Sequence, residues 1–353
     1  MRSEEEFRAF FRTELLPELR SLERRRKEVW RRLKRGDVLT LALVCLVAAV
    51  YFRDPRPLLA PVLYALLRMA GPLASLRRDF KREIVGRVIR FCDPSLEYRP
   101  SMGMPPDVVR ASALFENEYS DQTGEDYVEG LLGGTQFRFS ELTLSHKDSA
   151  RSRQSRTVFR GLFFVADFNK SFHGRTILLP DRAERILGTF GRALQQLSGV
   201  GGGHAIELED SEFERYFVVY ATDEVEARYI LSPSLMQRIV RFRETSGAQL
   251  RIAFVNECVY VAVPLKQDLF ALRVGTSFVN EEAVRGWIDQ LQFVMGIVED
   301  LDLGTRIWSK GGPTPSVASP NASPTNRLPG QDSLLPHSAT LAASDRLTRP
   351  KSL

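Results

Sequence analysis

The residues best placed for chemistry lie in one short segment, 167–175, which reads DFNKSFHGR and follows an apolar run. Asp167, Asn169, Lys170 and His173 offer an acid, an amide, an amine and an imidazole within seven residues. Such a set at the end of a strand could form a ligand-binding or catalytic loop. It could also be a plain turn, because Asn and Gly tolerate unusual backbone angles. Both interpretations stay open, and the sequence favours the turn.

Motifs for metal, cofactor and nucleophile chemistry are missing from the sequence. Its four histidines form no His-Glu-x-x-His pair, its cysteines form no Cys-x-x-Cys pair, and there is no Gly-x-Ser-x-Gly elbow. The glycine-rich segments 130–134 and 199–203 lack the Gly-Lys-Ser/Thr of a phosphate-binding loop. Adjacent acids such as Glu125-Asp126 indicate solvated faces or helix starts. We therefore predict no catalytic, cofactor-binding or metal-binding residue, and three buried thiols in a reducing compartment: Cys45, Cys92 and Cys258.

The elements that would position such a loop lie between residues 83 and 303. Strand-like runs occur at 136–145, 158–168, 176–179, 217–221, 250–255, 259–265 and 269–274. Helix patterns begin near Asp181, Asp223, Pro233 and Asn280. Runs that are apolar on both sides indicate strands covered on both faces. The order predicts an α+β fold with a mainly antiparallel sheet, and a division into two halves near 198–204 is left open.

The first 82 residues have a different character. Residues 1–36 predict a basic amphipathic helix with a kink at Pro17 and an apolar stripe of Phe7, Phe11, Leu15, Leu19 and Leu22. Two apolar segments follow, 38–52 and 58–76, on either side of an RDPRP segment. They predict a transmembrane helical hairpin over 37–77, although 38–52 would span only about 22 Å of a roughly 30 Å hydrocarbon core. Arg68 in the second segment is expected to reach the interface.

Basic residues flank the predicted hairpin on one side. Nine lie in 20–35 and four in 77–82, against two in the intervening loop. This distribution predicts a multi-pass membrane protein with both termini in the cytoplasm and 83–303 as a cytoplasmic domain. Segments 20–35 and 38–82 would contact membrane lipids, and the amphipathic helix over 5–35 offers a surface for homo-oligomerisation.

The net charge of +5 is an average over three unlike regions. Counting Lys and Arg against Asp and Glu gives +9 for 1–82, −8 for 83–303 and +4 for 304–353. The acidic body argues against nucleic acid as a partner. The segment 304–353 is rich in Pro, Ser and Thr and poor in large apolar residues, which predicts a disordered tail.

Three long strings carry a family resemblance: SDQTGEDYVEGLLGGTQFRFSELTLSHK at 120–147, FRGLFFVADFNKSFHGRTILLPD at 159–181 and FERYFVVYATDEVEARYILSP at 213–233. They resemble the bacterial family known as domain of unknown function 3137, over roughly 115–300 of the chain. The basic helix and two apolar segments also fit the layout of that family. The resemblance implies a membrane-anchored bacterial protein, and it implies no activity and no functional residue. Together with the predicted hairpin, this gives a predicted location in the bacterial inner membrane. The tail departs from the family pattern.

Two hypotheses for function follow from these patterns. The first is a binding, scaffold or regulatory module whose 83–303 domain recognises a protein or lipid-headgroup partner. The second is an enzyme that acts on a membrane-proximal substrate through the 167–175 loop. A channel built from the hairpin would depend on Arg68 alone. The lack of a catalytic constellation favours the binding module over the enzyme.

Overall fold

The computed structural model of the chain describes residues 4–34, 37–52, 59–147, 155–168, 170–180, 203–272, 275–301 and 303. All of them fall within one unit, residues 1–310. Several predictions lie outside the described residues: the 53–57 turn, the helix starting at Asp181, the glycine run at 199–202 and the tail at 304–353.

Helices make up the N-terminal part of the described chain. They are α1 (Glu4–Phe10), α2 (Leu16–Lys34), α3 (Asp37–Phe52), α4 (Leu59–Phe80) and α5 (Gly86–Cys92). Two wider π-helical turns, Phe11–Leu15 and Lys81–Val85, connect α1 to α2 and α4 to α5. Pro17 has no N–H to offer the carbonyl of Thr13, and it is the second residue of α2, which follows the first of these turns.

One face of α1 and α2 is buried within the chain itself. The side chains on this face join the main core together with residues of α4 and α5, and they include Phe7, Phe11, Leu15, Leu19 and Leu22. Homo-oligomerisation through 5–35 stays a prediction, but the apolar stripe that motivated it is already occupied by intramolecular packing.

Nine strands form a single sheet with the order β1-β2-β3-β4-β9-β8-β5-β7-β6. Every described pairing is antiparallel, so the predicted mainly antiparallel sheet is confirmed. Strands from before and after 198–204 lie side by side, because β5 pairs with both β7 and β8. The strands are β1 (Glu97–Arg99), β2 (Asp121–Leu132), β3 (Thr135–Lys147), β4 (Ser155–Asp167), β5 (Arg175–Pro180), β6 (His204–Ile206), β7 (Phe217–Ala221), β8 (Arg251–Val255) and β9 (Cys258–Pro264).

The remaining described helices lie between and after the strands. They are α6 (Pro106–Ala111), α7 (Ser211–Glu214), α8 (Glu224–Ile230), α9 (Pro233–Ser246) and α10 (Glu281–Asp300). Their starts follow local capping chemistry. The Asp223 carboxylate accepts the backbone N–H of Glu226, and the Asn280 side chain accepts that of Ala283.

Both faces of the sheet are covered. On one face, the helices α1, α2, α4, α5, α9 and α10 contribute to the main core. On the other face, α6 and its flanking segments form a second core around Val109 and Phe115. Successive residues of β4 alternate between the two cores, with Phe164 in the main core and Phe163 in the second. This two-sided burial explains the continuous apolar runs of the sequence.

The predicted transmembrane hairpin over 37–77 is wrong. In the part of the chain that the structure describes, no helix combines the length and the apolar character that a membrane span requires. α3 has 16 residues, or about 24 Å, which is short of a hydrocarbon core of roughly 30 Å. α4 is longer, but Arg68, Pro72 and Arg77 interrupt its apolar sequence. The same finding overturns the predicted multi-pass location in the inner membrane with cytoplasmic termini.

The basic segment 20–35 also makes contacts within the protein. Arg26 pairs with Glu23 at 2.7 Å, and Arg25 pairs with Asp79 of α4 at 3.1 Å. Contact of 20–35 and 38–82 with membrane lipids stays a prediction that depended on the hairpin.

The strand predicted at 269–274 is wrong over its described part. Residues 269–272 form a turn and irregular structure, and Phe270 has a positive φ of 53°. The backbone N–H of Leu269 donates to Glu141, and that of Phe270 donates to Gln290. These amides bond to side chains, so they are not available to a neighbouring strand.

Gly161 should be the most sensitive glycine of the sheet. A Cβ at this position would lie 2.1 Å from the Val263 carbonyl oxygen of β9. We expect Gly161→Ala to force β4 and β9 apart and to lower the free energy of unfolding by about 3 kcal/mol. Urea denaturation of the full chain measures this loss.

Gly286 of α10 is the matched control, because a Cβ there meets no atom within 4 Å. Gly286→Ala should raise the free energy of unfolding by roughly 0.5–1 kcal/mol, since alanine favours the helix. Equal effects of the two substitutions would contradict the close approach of β4 and β9.

Candidate functional site

A groove of about 600 Å³ lies where α1, α5 and α10 meet. Its apolar lining consists of Phe7, Phe91, Ile288 and Met295. Charged and polar groups complete it: Glu4, Arg285, Asp289, Gln292 and Glu299. Apolar and polar groups line this concave surface about equally, and its volume lies within the range of ligand-binding clefts.

Aromatic stacking positions the wall of the groove that α1 supplies. The rings of Phe10 and Phe91 stack with their centroids 4.1 Å apart. The Arg285 guanidinium of α10 lies over the Phe7 ring at 4.4 Å. These contacts hold α1 against both α5 and α10, so the groove depends on the docking of the N-terminal helix.

Arg285 is engaged by carboxylates of the protein itself. Its Nη1 and Nη2 donate to the two oxygens of Glu4 at 2.7 and 2.5 Å, and Nη2 also donates to Glu281 at 2.9 Å. The hydrogen bonds from Arg285 lower the pKa of Glu4 to about 2. Because this one guanidinium is already paired, the charge that the groove offers a ligand is that of Asp289 and Glu299.

A smaller cavity of about 340 Å³ lies on the other side of the Phe10–Phe91 stack. It is lined by Phe10, Glu14, Glu83, Arg87, Arg90 and Phe91. Arg87 donates to Glu18 at 3.0 Å, which ties α5 to α2 beside this cavity. The lining is mainly charged, so the larger groove is the better candidate for binding apolar groups.

A cluster of buried charges lies between the sheet and the turn that follows α4. Carboxylate oxygens of Glu125, Asp126 and Glu141 approach within 4.8 Å of one another. The Lys81 ammonium donates to Asp126 at 2.8 Å and pairs with Glu125 at 2.9 Å. The Tyr98 hydroxyl donates to the second oxygen of Asp126 at 2.6 Å.

The prediction that these two acids lie on a solvated face is therefore correct for Glu125 and wrong for Asp126. The Asp126 side chain is fully buried, whereas Glu125 is about half exposed. A β-bulge between Glu125 and Val128 and a positive φ of 60° at Asp126 turn this side chain inward. The sequence gives no local sign of this bulge.

Burial dominates the electrostatics of this cluster. It raises the pKa of Asp126 to about 6, although Lys81 and Tyr98 favour the ionised carboxylate. Burial also raises the pKa of Glu141 to about 7, and the charge of Asp268 adds to the effect while the Leu269 N–H opposes it. Three carboxylates could ligate a hard cation. Here the Lys81 ammonium already supplies a cation to two of them, so the donor set does not favour a metal ion.

The predicted 167–175 loop packs on α8. Lys170 donates to the carbonyls of Tyr229 and Ile230 at the end of that helix, at 2.6 and 3.3 Å. The backbone N–H groups of His173 and Gly174 donate to the Glu226 carboxylate at 2.7 and 2.5 Å. The segment lines neither of the two cavities. Asn169 lies outside the described residues, so the four polar groups are not shown to converge.

Arg68 lies on the exposed side of α4. Its guanidinium donates to the Tyr64 hydroxyl at 2.5 Å and lies over the Tyr64 ring at 5.7 Å. This local pairing one helical turn apart gives Arg68 a position at the protein surface.

A family model supports the resemblance found in the sequence. The model described as "Protein of unknown function (DUF3137)" matches residues 157–303. The predicted family is thereby confirmed over this range, which includes the strings at 159–181 and 213–233, whereas 120–147 precedes it. The family description names no activity, substrate or site.

Comparisons with other proteins add little to this match. A search of curated proteins found no match. Among solved structures, the chain is similar to the crystal structure of the mycobacterial trehalose monomycolate transport factor A, TtfA. The two share 14% sequence identity with a TM-score of 0.26, over 60% of this chain and 96% of that one. A TM-score this low does not establish a shared fold.

The raised pKa of Glu141 makes stability depend on pH. Its pKa is about 7 in the folded protein against 4.5 for a free side chain, so the folded state holds its proton more tightly. Stability is therefore lost as the pH rises from about 4.5 to about 7. We expect Glu141→Gln to be more stable than the natural chain by about 1–3 kcal/mol at pH 8, and this gain to vanish at pH 4.

Urea denaturation at pH 4, 6 and 8 measures this dependence. The control is Glu207→Gln, which changes an exposed carboxylate in a loop and should leave stability within about 0.5 kcal/mol at each pH. A constant difference between Glu141→Gln and the natural chain across this range would show that Glu141 ionises normally.

Proposed function

We propose that the protein is a binding module and that the groove between α1, α5 and α10 takes up a segment of a partner protein. The observation that supports this proposal is the groove itself. Apolar side chains contribute to its lining, and the carboxylates of Asp289 and Glu299 form what we call its rim. Among the described residues that line the groove, no group is arranged for bond-breaking chemistry. Binding without catalysis would give the protein a scaffold or regulatory role.

The shape of the groove supports a peptide segment as the ligand. Its lining residues on α10 run from Arg285 to Glu299 with helical spacing, which corresponds to about 21 Å along the helix. An extended segment of about six residues, or a short amphipathic helix, covers that length. Phe7, Ile288 and Met295 would contact apolar side chains of the partner.

The charge of the rim selects the partner's chemistry. Asp289 and Glu299 are exposed on α10, and Arg285 is paired with Glu4 and Glu281. A segment that carries Lys or Arg beside its apolar residues complements this rim, and an acidic segment is repelled.

The alternative function, an enzyme that uses the 167–175 loop, has less support. In that loop, Lys170 and the backbone N–H of His173 bond to α8, and the Ser171 hydroxyl bonds to Glu257. Its Lys170 is held at a helix end, where burial lowers its pKa. These contacts favour a structural role for the loop.

Site-specific photocrosslinking tests the proposal on the full chain in the producing cell. A benzophenone amino acid at Gln292, exposed in the groove, should yield a crosslinked polypeptide whose attached segment carries apolar and basic residues. The same amino acid at Val225, which is 79% exposed on α8, should not. Reversing the rim charge with Asp289→Lys and Glu299→Lys should lower the crosslinking yield at least about tenfold.

The matched control for charge reversal is Glu207→Lys, an exposed carboxylate away from the groove. It should leave the crosslink unchanged. The proposal would be abandoned if Glu207→Lys weakened the crosslink as much as the rim variants did, or if Val225 captured the same polypeptide.

A further inference from the structure

An exposed apolar face on α3 is unlike any other described surface of the protein. Six large apolar side chains of this helix are between 49% and 80% exposed: Leu43, Val44, Leu46, Val47, Val50 and Tyr51. Cys45, in their midst, is buried, because the opposite side of α3 packs against α4. No charged residue interrupts the helix between Val38 and Phe52.

The size of this face points to an interface. The six side chains expose on the order of 700 Å², close to the roughly 800 Å² that each partner contributes to a standard interface. Contiguous apolar patches of this extent are uncommon on monomers and mark sites of association. The face is separate from the groove, which is lined by residues of α1, α5 and α10.

We propose that a second copy of this chain covers the face, with the two α3 helices antiparallel across a two-fold axis. An uncharged apolar face is complementary to itself, as a two-fold interface requires. The arginine-rich end of α2 precedes α3. Antiparallel pairing centred on Val47 keeps the two basic ends about 30 Å apart, beyond the screening length of about 8 Å, whereas parallel pairing would bring them together.

Cysteine crosslinking tests the pairing directly. With Val47 at the axis, Val47 of one copy lies beside Val47 of the other, and Leu43 of one lies beside Tyr51 of the other. Mild oxidation of the full chain should therefore give a disulfide-linked dimer for Val47→Cys. It should also link Leu43→Cys to Tyr51→Cys in a mixture better than it links either variant to itself. Val225→Cys, at a position more exposed than Val47 and with the same native cysteines, is the control and should give no dimer.

Sedimentation equilibrium gives the second readout. Val47→Glu places a charge at the centre of the face and should raise the dissociation constant of the dimer by about 30-fold or more. Because Val47 is 62% exposed in the single chain, the substitution should leave the unfolding midpoint in urea unchanged at protein concentrations where the natural chain is monomeric. Val225→Glu adds the same charge elsewhere and should leave the dimer intact.

Three outcomes overturn the proposal. One is a natural chain that stays monomeric up to about 100 μM; another is a dimer that Val47→Glu and Val225→Glu affect alike. The third is binding of the natural chain to phosphatidylcholine vesicles that Val47→Glu abolishes, without a Val47→Cys dimer, since a lipid surface would then cover the face. A Val47→Cys dimer that Val225→Cys does not form supports the proposal.

Discussion

The packing of the first helices against the last described one is the interaction on which both proposed surfaces depend. The Phe80 ring at the end of α4 lies 5.5 Å from that of Phe278 and 5.3 Å from that of Trp287. The buried Glu23 of α2 accepts the N–H of Phe278 and is paired with Arg26. Because these contacts join opposite ends of the described chain, they hold α1 beside α10 and so form the groove. They also fix α4, against which α3 packs.

The buried cluster around Lys81 ties the same helices to the sheet. A buried ion pair adds little net stability, because desolvation offsets most of the attraction, but it penalises other arrangements that would leave a charge unpaired. Lys81 follows α4, while Asp126 and Tyr98 belong to adjacent strands. The pair therefore specifies where α4 meets the sheet edge. The buried charges therefore position α4 on the sheet. They do not line the groove, which lies on α1, α5 and α10.

Local sequence patterns predicted most of the central strands. The features that the sequence did not predict, such as β2 and the groove, depend on contacts between residues distant in sequence. The hairpin of β8 and β9 was visible because alternation and the turn residues Asn256 and Glu257 are local, and both adopt positive φ in the structure. β2 was missed, since most of its residues are polar and its pairing with β3 defines it. The two helices predicted within 37–77 are present as α3 and α4, and only their membrane-spanning character was mispredicted from hydropathy. The groove was not predictable, because Glu4 and Arg285 are too far apart in sequence to show a pattern.

The two proposed surfaces differ in how they relate to the part of the chain that matches the family. The groove includes residues from inside and outside that part, and the α3 face lies outside it. The match covers 157–303, which includes α10 but neither α1, α3 nor α5. One wall of the groove therefore belongs to the family domain, and the other wall is supplied by the N-terminal helices. The self-association face lies wholly in those helices. Because a ligand in the groove contacts both walls, its affinity depends on how α1 and α5 are placed against α10. The N-terminal helices, more than the sheet, would then set which partner is bound and in how many copies the protein presents the groove.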